Sequence, residues 1–377
     1  MYLIAMLVFT LVLIALLNML SIPSLRVPEN TTEDNKIKYL DRWLHGLYSN
    51  GKFQGVVLIA RGGDVIFSKG YGFANSNKKE PLSEHSSFNL ASVSKQFTAA
   101  GIILLKGKGQ LSYSDELQEL IPELSFYGDV TVRHLLNHTS GIPDYLKIAD
   151  DHLDGNEKVS ADNLIRLYAD KRPRQRFNPG YKFEYSNMGY VLLAEIIERI
   201  SGISFSEYMH RHIFQPLSMK QTRVFTPFSE EEPENRVYGF RKQYFLFGKK
   251  RLSDLGRFDG VVGDGGIYSS AHDLYIWHNA LLAGSLVPVA ELSEAYKSGV
   301  LNNGRKTDYG FGWFITDHEA VEHAGGWLGF ATYLYRNPAN GQLIIVLDNT
   351  GNILRVTSKG VVYNSIPLNL QYFLSGI

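Results

Sequence analysis

"FNLASVSKQF", residues 88–97, places a serine and a lysine three apart at the head of an apolar run that continues through "TAAGIILL" to residue 105. Residues at this spacing share one face of a helix, with Cβ atoms about 5–6 Å apart, so the amine of Lys95 can reach the hydroxyl of Ser92. The run reads as a buried helix over 92–107. A lysine there is costly to bury unless it is paired or neutral. Desolvation favours the neutral amine, which can accept the serine proton. The first turn of a helix also offers free N–H groups and a positive dipole end to a developing oxyanion. The plainer reading makes Ser92 an N-cap and lets Lys95 reach outward to solvent.

The S-x-x-K spacing alone does not decide between these readings, because it occurs three times. Ser49 in "SNGK" and Ser76 in "SNKK" lie in turn-rich polar sequence. Ser92 alone opens an apolar helix. Two other stretches bear on it. "FEYSNMGYVLLAEIIERISG", 183–202, puts Tyr185 and Asn187 in an extended loop before a strong helix. Residues two apart in extended chain project to the same side, so both can face a cleft. The alternative is a loop that only caps the next helix. "EHAGGWLGF", 322–330, ends a strand at His323 and follows it with Gly325 and Gly326. Glycines there let a ligand approach the backbone, and their N–H groups can stabilise an oxyanion. A lone histidine is as readily structural.

Composition removes several classes of function. Lysine plus arginine and aspartate plus glutamate each number 38 in 377 residues, which leaves no basic footprint for nucleic acid. Cysteine is absent, so disulfides, thiolate zinc sites and cysteine nucleophiles are excluded. The eleven histidines show no H-E-x-x-H or other close ligand cluster, so no metal is expected. Twenty-two tyrosines and 21 phenylalanines point to aromatic clusters in a core or a cleft.

The first 20 residues, "MYLIAMLVFTLVLIALLNML", carry no charged side chain. About 20 apolar residues span a bilayer, and no basic residue precedes the run as in a cleaved signal peptide. Residues 1–22 are therefore expected to be an uncleaved membrane anchor, with a cleaved signal segment as the alternative, and 23–35 a polar linker. Arg26, Lys36, Lys38 and Arg42 follow the segment, and the positive-inside rule alone would put them in the cytoplasm.

Apolar residues at helical spacing follow in 36–50, stopped by Asn50-Gly51. "FQGVVLIA" (53–60) and "DVIFSKGYGFA" (64–74) read as strands joined through "RGGD". Helices are expected over 131–137, 161–169, 189–200, 204–214 and 271–283. Strands return at 309–315, 330–337 and 341–349, the last two joined through "PANG". The basic, aromatic stretch 236–252 reads as a solvated hairpin, with contact to substrate or membrane as the sharper alternative. Residues 352–366 read as a final helix and 367–377 as a C-terminal tail. The expected architecture is α+β: an antiparallel sheet built from N- and C-terminal segments with flanking helices, and a mainly helical region about 92–300 inserted between them. One domain would cover 36–366, with a ligand cleft between its two regions.

Taken in order, Ser92-x-x-Lys95, Tyr185-x-Asn187 and His323-x-Gly325 resemble the serine β-lactamase and penicillin-binding protein superfamily. The likeness is strongest to the class C branch, which also holds D-Ala-D-Ala carboxypeptidases, D-aminopeptidases and β-lactamase-like esterases. "LLNHTSGIPDY" (135–145) and "GDGGIYSSAHDL" (263–274) add to it, and it extends over about residues 36 to 350. The resemblance implies a β-lactamase/transpeptidase-like fold and acyl transfer through a serine ester, with no metal and no organic cofactor. It makes Ser92 the nucleophile, and has Lys95 and Tyr185 share proton transfer. Asn187 would bind the substrate amide, and the N–H groups of Ser92 and Gly326 would form the oxyanion hole. Tyr145 is expected to line the cleft. Related enzymes carry K-T-G where this chain has His323-Ala324-Gly325. A neutral histidine holds a substrate carboxylate less well than a lysine. The expected substrate is thus a small molecule or peptide: a β-lactam, a D-amino-acid peptide or an ester. The alternatives are an esterase or D-amino-acid peptidase inactive on β-lactams, and a non-catalytic penicillin-binding or sensing module. Such a domain is expected outside the cytoplasm, against the count of flanking basic residues.

Overall fold

The computed structural model describes residues 22–75, 79–155, 157–243, 249–316, 320–351, 354–357, 360–363 and 365–376. The expected anchor, save Ile22, lies outside them, and so does Ser76.

"GVVLIAR" forms strand β1 (Gly55–Arg61), which turns through Gly62-Gly63 into β2 (Asp64–Tyr71). Four strands from the other end of the chain complete the sheet: β3 (Phe314–Ile315), β4 (Val321–Trp327), β5 (Phe330–Asn337) and β6 (Gln342–Asp348). The order is β3-β4-β5-β6-β1-β2, antiparallel throughout, so β6 against β1 joins the two ends of the chain. Val57, Val346 and Tyr333 form one row across it.

Both faces of this sheet are covered, which is why β1 is a continuous apolar run rather than an alternating one. On one face, Val57, Ile59, Ile344 and Val346 pack under α1 (Glu33–Ser49) and the last helix of the chain, Ser365–Ser375. On the other, Val56, Leu58, Leu343, Ile345 and Leu347 meet the helical region. That region includes α2 (Lys95–Gly107), α3 (Tyr145–His152), α4 (Asn187–Ser201) and α5 (Ala271–Ala283); the last helix is α6. The α+β architecture, with its terminal-segment sheet, is as expected.

Several boundaries differ. The segment read as a linker is docked: α1 begins at Glu33, Leu25 N–H donates to Asn369 Oδ1 over 2.6 Å, and Trp43 Nε1 donates to Pro23 O over 2.9 Å. The final helix does not begin at 352. Leu354–Thr357 and Gly360–Tyr363 pair as a hairpin, and α6 then takes up most of the expected tail. Ile366, Leu370, Phe373 and Leu374 on α6 are buried, so the fold runs to the end of the described chain. The apolar pattern at 309–315 yields only the short β3. Gly312 (φ +79°) brings its backbone against Lys95 and Gln96, which breaks the extended run. Within 236–252 a hairpin does form, Phe240–Gln243 with Lys249–Leu252, but Arg236 at its base is buried against Asp254.

Candidate active site

Ser92 is carried on a strained turn. Phe88 and Asn89 pair with Ser269 and Tyr268, and Leu90 N–H donates to Ile267 O. Ala91 then takes a left-handed backbone (φ +48°), held by its N–H donating to Asn89 Oδ1 over 2.8 Å. Such a conformation is unfavourable for alanine and persists only where its surroundings impose it. A 3₁₀ turn, Ala91–Ser94, follows and leads into α2 at Lys95. Strand β4 lies directly on the turn: a Cβ at Gly325 would collide with Leu90 O and with Thr332 Oγ1. Thr332 Oγ1 itself donates to Leu90 O over 2.7 Å. Gly325 is therefore glycine because the sheet edge and the nucleophile turn touch there.

Lys95 is fully buried, yet its Nζ has three acceptors: Ser92 Oγ at 3.2 Å, Asn187 Oδ1 at 2.9 Å and the backbone oxygen of Asp264 at 2.8 Å. They match the three donors of an ammonium. A neutral amine could instead donate to two of them and accept the serine proton. Aromatic faces complete the setting, with Nζ 5.0 Å from the Tyr185 ring centroid and 5.6 Å from that of Tyr190.

Two of these acceptors, Asn187 and Asp264, are tied to one another. Asn187 is the first residue of α4, and both its N–H and its Nδ2 donate to Asp144 Oδ2, over 2.7 and 2.9 Å. This fixes the amide so that its oxygen faces Lys95. The other oxygen of Asp144 caps α3 by accepting from Leu146 N–H. The next residue, Tyr145, donates its hydroxyl to Asp264 Oδ2 over 3.0 Å. Lys95, Asn187, Asp144-Tyr145 and Asp264 thus close a ring drawn from four separate segments. Burial, with the Asp264 carboxylate alongside, holds the Tyr145 phenol well above its ordinary range, so it stays a donor. Burial pushes the Asp264 carboxyl up to about 6.

The predicted residues divide by position. Ser92, Asn187, Tyr145 and Gly326 line a cavity of about 180 Å³ together with Phe258, Asp259, Asp264 and Trp327. Tyr185, His323 and Gly325 are not among its lining residues. Among the described residues no hydrogen bond joins the Tyr185 hydroxyl to Ser92 or Lys95; the phenol meets the lysine through its ring face. Its ring is held by His138 (centroids 4.2 Å apart) and by Phe314, which lies nearly parallel. His323 was expected to face the substrate. It is instead buried, with Nε2 3.0 Å from the Tyr309 hydroxyl and Nδ1 2.7 Å from Ala324 O. Burial, reinforced by Lys95, depresses it to about 3, so it is neutral.

The motifs did not single out Asp144 and Asp264, although both lie in stretches that carried the resemblance, "GIPDY" and "GDGG". Asp259, Trp327 and His138 gave no pattern of their own. Among the described residues there is no cluster of histidine, aspartate and glutamate able to hold a metal ion, and no helix long and apolar enough to cross a membrane.

The sequence model of the family described as Beta-lactamase matches residues 40–355. Penicillin-binding protein 4* of Bacillus subtilis is 36% identical over 328 residues, which is 84% of this chain and 72% of that protein. A solved penicillin-binding protein from Bacillus halodurans superposes with a TM-score of 0.71 at 27% identity, covering 82% of this chain and 94% of that one. An octameric penicillin-binding protein homologue from Pyrococcus abyssi gives 0.75 at 26%, covering 90% and 77%. A turn that presents a serine to a buried lysine thus sits in a fold shared with penicillin-binding proteins, and the chain belongs to the beta-lactamase family, within the superfamily of serine β-lactamases and penicillin-binding proteins, as a serine hydrolase.

Proposed function

We propose that the chain cleaves an amide, β-lactam or ester through an acyl-enzyme on Ser92. The observation that carries this is the 3.2 Å contact between Lys95 Nζ and Ser92 Oγ inside a closed, buried ring. Ser92 Oγ attacks the substrate carbonyl carbon while its proton passes to the amine of Lys95. The oxyanion is held by the backbone N–H groups of Ser92 and Gly326. The tetrahedral intermediate collapses, and the amine or alcohol leaves with the proton that Lys95 had accepted. Water then attacks the Ser92 ester and gives its proton to Lys95, which returns it to the departing Ser92 oxygen as the acid is released. Asn187 has both amide ends engaged, by Lys95 and Asp144, so its part is to hold the lysine before it touches substrate.

The name of the Bacillus subtilis relative supports penicillin recognition. The buried, neutral His323 favours a second reading, an esterase or D-amino-acid peptidase without β-lactam turnover, because it brings no positive charge to the motif position at which related enzymes carry a lysine. Labelling with a fluorescent penicillin and a fluorophosphonate in parallel separates them. Label from both supports the first reading, and fluorophosphonate alone supports the second. No Ser92-dependent label from either rejects both and leaves a non-catalytic module. We further propose that residues 1–22 anchor the domain on the outer side of a membrane. The uncharged first 20 residues support this; a full-length chain that stays in the aqueous phase would refute it.

A further inference from the structure

Beyond Ser92, the cavity carries two carboxylates that no cation contacts among the described residues. Asp259 accepts from Trp327 Nε1 over 2.9 Å and from Gly256 N–H; Asp264 accepts from the Tyr145 hydroxyl. Both are buried, and neither forms an ion pair among the described residues. The cations nearby are committed elsewhere. Lys158 Nζ donates to Gly256 O, and Arg257 binds the Asp150 carboxylate and Ala149 O. Lys95 reaches Asp264 only at its backbone oxygen. Buried charge without a counter-charge in contact is unfavourable, and here it borders open space rather than packed core. The walls beside it are aromatic. Tyr145 and Phe258 meet edge to face at 5.6 Å between centroids, and Trp327 adds an indole. Carboxylates among aromatic faces are a recognition surface for an organic ammonium. His323, neutral and outside the cavity lining, offers no charge to a substrate anion.

From this arrangement we infer that the cleft selects acyl donors that carry a protonated amine close to the scissile carbonyl, held between Asp259, Asp264 and the aromatic walls. The inference rests on the acyl-enzyme reading above and narrows it to amino-acid amides, esters and peptides with a free amino end. The amine supplies the missing counter-charge, and the cavity's modest volume suits a small amino acyl group. Recognition should weaken in acid. Burial sets both carboxyls at about 6, against the ordinary 3.8. The charged groups around them are Lys95 and Asp144 for Asp264, and Lys158 and Asp254 for Asp259.

The test compares alanine p-nitroanilide, in both enantiomers, with isobutyryl p-nitroanilide, in which a methyl group replaces the ammonium, and with p-nitrophenyl acetate as a neutral ester. For one enantiomer, kcat/KM should exceed that of the isobutyryl compound roughly ten- to a hundredfold at pH 7.5, the worth of one charge-assisted hydrogen bond. The ratio should fall toward one at pH 5, and Asp259→Asn should lower it at pH 7.5. Equal or reversed rates for the two anilides, with Ser92-dependent cleavage, overturn the inference and leave the acyl-enzyme intact. So does turnover of p-nitrophenyl acetate with neither anilide cleaved. Absence of Ser92-dependent cleavage of any of them overturns both.

Discussion

One carboxylate oxygen of Asp144 accepts two hydrogen bonds from Asn187, one from its backbone and one from its side chain. The Asn187 amide is thereby locked with its oxygen toward Lys95. Asp144→Asn keeps a good N-cap for α3 but puts an NH₂ where an acceptor is needed. The Asn187 amide should then turn over and point a donor at Lys95. We expect kcat to fall at least about tenfold with KM little changed, since a positioning bond in the reacting array is lost. Steady-state kinetics on p-nitrophenyl acetate checks this; an equal rise in KM at constant kcat would contradict it.

Lys95 is the only side chain of the ring that touches the Ser92 hydroxyl. Lys95→Ala should slow hydrolysis by a factor on the order of 10²–10⁴, as for loss of a general base. Near-normal turnover with Ser92 still required would assign the proton transfer elsewhere, with Tyr185 the first candidate.

Gly325 leaves no room for a methyl group against Leu90 O and Thr332 Oγ1. Gly325→Ala should push the nucleophile turn off the sheet, at a cost of about 1–3 kcal/mol in stability and with reduced turnover. Gly46, in α1, has nothing within 4 Å of an added Cβ. Gly46→Ala should stabilise by about 0.5–1 kcal/mol. Urea midpoints of the two variants should move in opposite directions; parallel shifts would argue against the close contact.

Asp264 is held at about 6 by burial, against 3.8 in an unfolded chain. Between those values the folded protein keeps a proton that the unfolded chain has released, so this group lowers stability as pH rises from about 4 to 6. Asp264→Asn removes the titration. Whatever its offset at pH 4, the variant should gain on wild type by up to about 3 kcal/mol by pH 7. Denaturant unfolding at the two pH values measures this; a difference that does not change with pH would contradict it.

The general architecture was legible because its signals are local. Continuous apolar strands joined by glycine turns at both ends of the chain, with helical periodicity between them, specify a sheet closed by its terminal segments. The pairing of Ser92 with Lys95 was legible for the same reason, since three residues along a helix fix a neighbour. The ring around Lys95 was not. Asp144 and Asp264 are 120 positions apart, and no periodicity reports that Tyr145 will bridge them. His323 misled because a histidine followed by glycines looks the same whether its ring faces a ligand or, as here, the hydroxyl of Tyr309. The end of the chain was misread because residues 354–357 and 360–363, rich in valine, pair as strands before α6 begins.

The most direct test of the central claim is the intact mass of the protein after reaction with a fluorophosphonate, followed by peptide mapping. The account predicts a single adduct on Ser92 in the wild type, slowed in Lys95→Ala and absent in Ser92→Ala. An adduct at full rate in Lys95→Ala, or one on any other residue of the cleft, would contradict it.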